Sequence, residues 1–454
     1  MPSGVFDSIL LRDSWSTEEL RAVFSDENRV QKWYDMEATL ASEQAAFGIV
    51  PHEAAGEIMR NAKVEKVDLA EIARAMGEAK HPLVPALRAL QKLCKPELGE
   101  WLHYGPTTQD ILDTGMALQL KGAHAIILRD LRAIGRTLYG LAERHRATPM
   151  AGRTHGVQAL PITFGHKCAI WLREVSRHRE RLAEAEKRVF VGSLVGAVGT
   201  MASFGPKAIQ LEAGVMKRLG LAQADISWHP ARDRFAEYAS ILGLIVGTLT
   251  KIANEVFHLQ ATEVDEVEEP HNPGKVGSST MPHKRNPSIC ETMITVGRTL
   301  RYDVAIMQEV LVQTHERESA IWKMEWKALP EICMGLGLML SLGRTIIERL
   351  VVKPERMREN LDRLGGLLLS ERVMFFLGEK LGKQTAHEVV YEAAMTAQEA
   401  GGTLEAALAR DPRVKDVASS AELASILDPT TYVGLAPELV DRALRQTRAE
   451  GWLD

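Results

Sequence analysis

The chain has 454 residues, 45% of them hydrophobic and 25% charged, values that exclude a disordered or collagen-like polymer. Lys and Arg total 55 against 60 Asp and Glu, a formal net charge of −5, so nothing points to nucleic acid or an anionic membrane as a partner. Aromatics at 6% leave little for a base-stacking surface, and the length fits two or three domains or one long fold with end pieces.

The N-terminal MPSGVFDSILLRDSW lacks the basic region and apolar core of a secretory signal. No stretch approaches ~18 consecutive apolar residues, and the expected location is the cytoplasm. Residues 1–110 read as short helical pieces broken by Pro51, Pro82, Pro85 and Pro96. Ile127, Leu131, Ile134, Leu138 and Leu141 form a helical seam, predicted to start near Leu112 and end before Pro149. A further helix is predicted from after Pro161 to about Lys187. Phe235, Tyr238, Leu242, Ile245, Leu249, Ile252, Val256 and Leu259 follow at 3-4-3-4-3-4-3 spacing, a heptad seam. No proline lies between Asp233 and Glu269, which predicts one very long helix there. Between Tyr238 and Thr250 no residue is charged. A helix apolar all round must be buried all round, which predicts packing against helices of other subunits.

Asn286–Thr314 and Leu329–Leu350 complete a set of five long helices between 111 and 364. Strand alternation is nearly absent, with Val189-Phe190-Val191 a candidate extended link. Residues 365–454 are short helices interrupted by Gly401-Gly402, Pro412 and Pro429. The expected class is all-α with a long antiparallel bundle, divided as 1–110, 111–364 and 365–454. Cys94, Cys168, Cys290 and Cys333 are far apart, with no CxxC pair, and are expected to be buried or inert thiols.

The most informative segment runs from His271 to Pro287. Gly274 and Gly277 free the backbone. Ser278 and Ser279 precede His283-Lys284-Arg285, and Pro287 suits the first turn of a helix. A helix N-terminus beside a lysine and hydroxyls is a good place for a carboxylate; the alternative is a polar surface loop. The GxxxxGK[ST] spacing of a phosphate loop is absent. Three more polar loops interrupt the apolar helices: Lys80-His81-Pro82, His103–Asp110 and Gly152–Gly156. A single loop histidine is ordinarily a surface residue or a helix cap, and spacing alone does not join these loops. With no HExxH, no clustered Cys/His set and no dinucleotide fingerprint, neither metal nor cofactor is expected.

GSSTMPHKRNP (277–287) resembles the signature loop of the fumarase/aspartase superfamily, most closely the branch of adenylosuccinate lyases and bacterial 3-carboxy-cis,cis-muconate cycloisomerases. HYGPTTQDILDT (103–114), GRTHG (152–156), GAVGT (196–200), RDRFAEYA (232–239), TEVDEVEEP (262–270) and HERES (315–319) follow the family order. The resemblance implies a three-domain all-α fold with a central five-helix bundle. It implies a homotetramer with a shared helical core and active sites built from three subunits. The substrate would be a small dicarboxylate-containing molecule, cleaved at a C–N or C–O bond to leave fumarate.

That reaction removes a proton from a carbon beside a carboxylate, so the intermediate concentrates negative charge and needs a nearby base, cations and donors. By resemblance, Ser279 is the base, Lys284 and Asn286 hold the carboxylate and stabilise the intermediate, and His155 is the general acid, assisted by His81. Thr107 and Thr108 bind a carboxylate with His103 nearby. Ser278, Met281, Gln158, Arg232 and Arg317 complete the expected substrate-binding set. Glu268 is placed by the family near the histidine pair; the alternative is that Glu266, Glu268 and Glu269 form a solvated acidic cap.

Two patterns mix. His81 and His155 resemble the adenylosuccinate lyase set, whereas related cycloisomerases usually carry Trp where His155 stands. Beyond Arg317, however, Trp326 stands where a phosphate-binding Arg is expected, and Ala320 and Trp322 replace serines. A phosphate needs charge-assisted donors, and an indole offers one neutral N–H. Leu427–Gly434 also resembles the cycloisomerases. The expectation is a lyase eliminating an amine from an N-substituted aspartate, its other half small or apolar against Trp322 and Trp326, with Lys323 able to meet a carboxylate. Adenylosuccinate returns as substrate if Lys323 and Arg317 replace the missing Arg. The alternatives are a lactonising carboxymuconate cycloisomerase and a crystallin-like structural protein; against the last, Ser279, Lys284, Asn286, His81 and His155 are all present.

Overall fold

The computed structural model describes residues 4–271, 280–281 and 283–453. They are all-helical apart from two short antiparallel strand pairs. The elements that matter for the site are α1 (Asp26–Ala46), α2 (Leu69–Ala79), α3 (Val84–Leu93), α4 (Thr108–Arg144), β1 (Pro149–Thr154), β2 (Val157–Thr163), α5 (Phe164–Val189), α6 (Asp233–Leu259), β3 (Val267–Glu268), α7 (Ser288–Glu309), α8 (Met324–Arg349) and β4 (Val351–Val352). The five long helices expected between 111 and 364 are α4 to α8.

Backbone contacts divide the chain into two compact units. The first holds 1–131, 177–250 and 292–341; the second holds 132–176, 251–291 and 342–454. In the first, Ala41, Ala45, Val50, Ile58 and Leu98 form one apolar cluster that ties α1 to the short helices after it. In the second, Val373, Leu377, Val389, Leu404 and Leu423 form the core of the C-terminal helices.

The helical seams bury as their period requires. All eight seam residues of α6 are at most 2% exposed, and Ile127 to Leu141 on α4 at most 5%. On the uncharged belt of α6, Leu244 stands half exposed. By length and composition α6 and the stretch Ser319–Arg349 could cross a membrane, but half of the first apolar window and 72% of the second lie buried within the chain, as in core helices. The four cysteines are buried, and burial pushes the Cys168 and Cys333 thiols far above the ordinary range.

Three expectations need correction. The helix predicted to reach Glu269 ends at Leu259. The Val264 and Asp265 amides both bond back to the Ala261 carbonyl, Asp265 takes φ +54°, and the Glu266 amide returns to Leu259. The chain leaves the helix because Glu266 is needed in a buried ion pair and Val267-Glu268 pairs with Val351-Val352. The helix expected to begin at Leu329 begins at Met324, with Pro330 inside it. Proline removes a ladder bond and costs ~3 kcal/mol or more in a helix interior; the buried pair of Glu325 with Arg232 holds the turn before it.

The third correction is the GRTHG loop, which is a β-hairpin. Thr154 pairs with Val157, and His155-Gly156 form its two-residue turn at φ +54° and +83°. Two positive φ values match the twist of the flanking strands. Gly152 permits the close strand approach, since a Cβ there would sit 2.8 Å from the Leu160 carbonyl.

Candidate active site

In the first unit, His81 lies in the bend between α2 and α3, after Lys80 at φ +51°. Its Nδ1 accepts the Leu83 and Val84 amides at 3.2 and 3.1 Å. Leu83 has no capping side chain, so the imidazole satisfies the start of α3. Accepting two amides requires a lone pair on Nδ1, which puts the ring proton on Nε2. That nitrogen stands 3.4 Å from Thr108 Oγ1. Burial, then the field of His103, pushes the His81 pKa down and keeps the ring neutral.

His103 behaves oppositely. Its Nδ1 lies 2.6 Å from Glu37 Oε1, and Glu37 is 1% exposed. Burial works against the charged ring, but the Glu37 charge and hydrogen bond, helped by Asp110, outweigh it and raise the pKa. Glu37 Oε2 is buried with no hydrogen-bond partner among the described residues.

Thr107 and Thr108 open α4. Asp110 Oδ2 accepts the Thr107 amide and the Gly196 amide, and its Oδ1 accepts the Val195 amide, all at 2.9 Å. Ser193 and His229 complete this fully buried knot. Although it pairs Ser, His and Asp, the Ser193 hydroxyl donates to the carboxylate and no solvent reaches it; it fixes the threonine turn. Arg317 is exposed and donates to Thr107 Oγ1. The unit therefore brings His81 to Thr108 and Arg317 to Thr107, with His103 in the same loop.

Arg232 is placed differently from its expected role in substrate binding. It is 1% exposed. Its guanidinium donates to both oxygens of Asp113 and both of Glu325 and stacks on Trp228 at 4.8 Å. Two carboxylates around one cation, out of water, raise its pKa despite burial. Burial also pushes Glu325 up. Trp322 belongs to this cluster too: its indole donates to Asp113 at 2.9 Å, and it backs Trp326 edge to face.

Trp326 does line a cavity of about 220 Å³. Leu112 and Met116, one and two turns beyond Thr108 on α4, form one wall; Trp33, Met76 and Pro82 complete it with Trp326. Gln119 and Arg29 close it, Arg29 being its one charged lining residue. Its size is below the ~300–1,000 Å³ typical of drug-sized ligands.

In the second unit, His155 is exposed at the hairpin tip. Behind it, Arg153 grips both oxygens of Glu266 at 2.9 and 2.7 Å, and Asn360 donates to the same carboxylate at 2.9 Å. Gln158 on β2 donates to the Asn360 carbonyl at 3.0 Å, leaving its own buried oxygen without a partner among the described residues. Lys284 is exposed, its amide bonded to Met281, which is 43% exposed; Asn286 is half-buried. Ser278 and Ser279 lie outside the described residues.

The N-terminus of α7, expected to receive a substrate carboxylate, holds one from its own chain. Glu269 accepts the Ile289 and Cys290 amides at 3.1 Å each. Glu268 pairs with Arg285 at 2.7 Å and Lys353 at 3.6 Å. Glu266 and Glu269 are 0% and 3% exposed, so these acids are anchors rather than a solvated cap.

Lys80, His103, His155, Asp265 and His315, five of the six non-glycine residues with positive φ among those described, fall in the motif segments. Such backbone costs ~1–3 kcal/mol and concentrates at functional sites. Sequence reading did not single out Glu37 or Arg29, and it met Asp110 only as a loop end and Glu269 only within an acidic cluster. Glu37 had a visible signal: a charge in the buried stripe of Trp33, Leu40 and Ala41 on α1.

Residues 12–300 match a family described as Lyase, and 366–443 one described as Adenylosuccinate lyase C-terminus. The chain is 46% identical over 453 residues to an N-acetyl-S-(2-succino)cysteine lyase of Enterococcus italicus, covering 100% of this chain and 99% of that one. It is 44% identical to a protein of the same name from Dickeya dadantii, over 100% of both. Among solved structures, the 3-carboxy-cis,cis-muconate lactonizing enzyme of Pseudomonas putida superposes with a TM-score of 0.93 at 37% identity, covering 97% and 99%.

Proposed function

Because this chain belongs to the fumarase/aspartase superfamily, in the adenylosuccinate lyase and 3-carboxy-cis,cis-muconate cycloisomerase branch, and is a lyase of the fumarate-releasing type, we propose that it splits the C–S bond of an N-acylated S-(2-succino)cysteine. The products are fumarate and the thiol. The observation that carries this choice of leaving group is the small apolar cavity one turn beyond Thr108, with Trp326 in its wall. It suits an acyl amino acid and is too small for a nucleotide. The neighbouring larger cavity, which shares Arg29 and Trp326, is lined by five acids (Asp7, Asp13, Glu18, Asp26, Glu331) against four cations (Arg12, Arg21, Arg29, Lys327), a poor setting for a phosphate.

The expected amine gives way to sulfur for a chemical reason. An amine must be protonated to depart, whereas a thiol of pKa ~8.5 departs as thiolate with little help. A neutral His81 presenting Nε2–H gives a departing sulfur a hydrogen bond without acting as a strong acid. In this reading Ser279 takes the proton from the carbon beside a carboxylate. Lys284 and Asn286 hold the resulting dianion, and His155 supplies the proton to the thiolate once the C–S bond has broken. Thr107, Thr108 and Arg317, beside His103 with its raised pKa, bind the other carboxylate. Arg232 and Gln158 act by fixing α4 and the hairpin, and Ser278 and Met281 complete the substrate-binding set. The half-exposed Leu244 on the uncharged belt of α6 supports the homotetramer with three-subunit active sites that the resemblance implies.

The test offers purified protein N-acetyl-S-(2-succino)cysteine, adenylosuccinate, a simple N-alkyl aspartate and carboxymuconate separately. Fumarate release with kcat/KM at least tenfold higher for the thioether supports the reading. Turnover of only an amine substrate, or of carboxymuconate alone, overturns it.

A further inference from the structure

We propose that the cavity beside Thr108 is the subsite for the thiol-side half of the substrate, and that Arg29 takes its carboxylate. The inference rests on the thioether reading and extends it to specificity. Thr108, Leu112 and Met116 share one face of α4, spaced by whole turns, so the cavity wall at Leu112 and Met116 stands about 6 and 12 Å along the helix from the threonine turn. Pro82 adjoins His81, which stands 3.4 Å from Thr108. A molecule whose succinyl end sits at Thr107 and Thr108 therefore carries its other half into this cavity.

Arg29 and Trp33 are one turn apart on α1 and face the cavity together. Trp33 reaches it by packing on Gly115, where a Cβ would lie 2.7 Å from the indole. Arg29 has a side chain 30% exposed and pairs with the exposed Asp26 at 2.8 Å. Such surface pairs contribute little and give way to a ligand carboxylate.

The lining has one cation and no carboxylate. It therefore favours a half that carries a carboxylate and no ammonium, which is an N-acylated amino acid. A free α-amino group would meet Arg29 with no acid in the lining to offset it. Gln119 is already committed to the Val23 carbonyl at 2.9 Å, and the acyl group lies against the apolar wall.

The test compares kcat/KM for three thioethers: N-acetyl-S-(2-succino)cysteine, its cysteamine analogue without the carboxylate, and S-(2-succino)cysteine with a free ammonium. The parent is expected to prefer the first by about 10- to 100-fold over each of the others, the range of a charge-assisted hydrogen bond. Arg29→Gln is expected to bring the preference over the cysteamine compound to within about threefold. Met76→Trp, made from a half-exposed position, fills the cavity; it is expected to raise KM for every thioether at least tenfold without altering inhibition by fumarate. A parent that releases fumarate while R29Q keeps the full preference overturns the subsite and leaves the lyase reading standing. If R29Q is inactive on all three, M76W decides, and an unchanged KM overturns the subsite. A parent inactive on every thioether overturns both.

Discussion

Replacing Glu37 by Gln keeps the volume and removes the charge that faces His103. The contact is short, 2.6 Å, and Glu37 is 1% exposed, so the hydrogen bond is charge-assisted and contributes about 1.5–3 kcal/mol. Removing that charge and hydrogen bond lowers the His103 pKa. In the parent that pKa is raised despite burial. In the variant burial remains, the largest influence, and only Asp110 opposes it, so the balance turns toward the neutral ring. The sign of the stability effect inverts accordingly. In the parent, His103 contributes stability that is full below ~6.5 and is lost as pH rises through the raised folded value. In the variant the neutral ring is favoured, so stability rises with pH across the same region. Imidazole NMR titration of parent and variant, with urea unfolding at several pH values, reads both effects. A His103 midpoint that moves by less than about half a unit, or upward, refutes the reasoning.

Arg232→Met leaves Asp113 and Glu325 buried without their cation and is expected to cost about 3–5 kcal/mol, read as a lower urea midpoint; a loss below about 1 kcal/mol contradicts the ion-pair account. Glu269→Ala uncaps α7 at an expected cost of ~0.5–2 kcal/mol, with faster hydrogen exchange at the Ile289 and Cys290 amides; unchanged exchange argues against the cap. Asp110 is held below its usual pKa because the His229 and backbone hydrogen bonds outweigh burial. Its stabilisation is therefore present above ~3.8 and lost as pH falls through the lower folded value. Asp110→Asn should flatten that acid limb, and an unaltered acid transition would count against it.

The long helices were legible because a heptad seam encodes which face is buried, and every seam residue of α6 is buried. Where α6 ends was not. The absence of proline permits a helix to Glu269, but Glu266 is claimed by Arg153, far away in sequence. The hairpin was hidden for a similar reason: its signal is a positive-φ His-Gly turn and one close glycine rather than clean alternation. The motif loops named His81, His103, Thr107 and Thr108 correctly as polar interruptions, but not the tautomer and charge of the histidines. Those come from backbone amides at 83 and 84 and from Glu37 on another helix. The anchoring acids were legible as a cluster and not as partners, since spacing does not say that Glu269 closes the helix N-terminus that appeared open to a ligand.

The central claim is that a serine-initiated elimination separates fumarate from a thiol. Incubating the protein with N-acetyl-S-(2-succino)cysteine, and following fumarate absorbance together with free thiol by a thiol reagent, tests it most directly. The account predicts that both products appear one for one, and that Ser279→Ala abolishes both while still binding fumarate. Full turnover by the Ser279→Ala protein, or no thiol release by the parent, would contradict it.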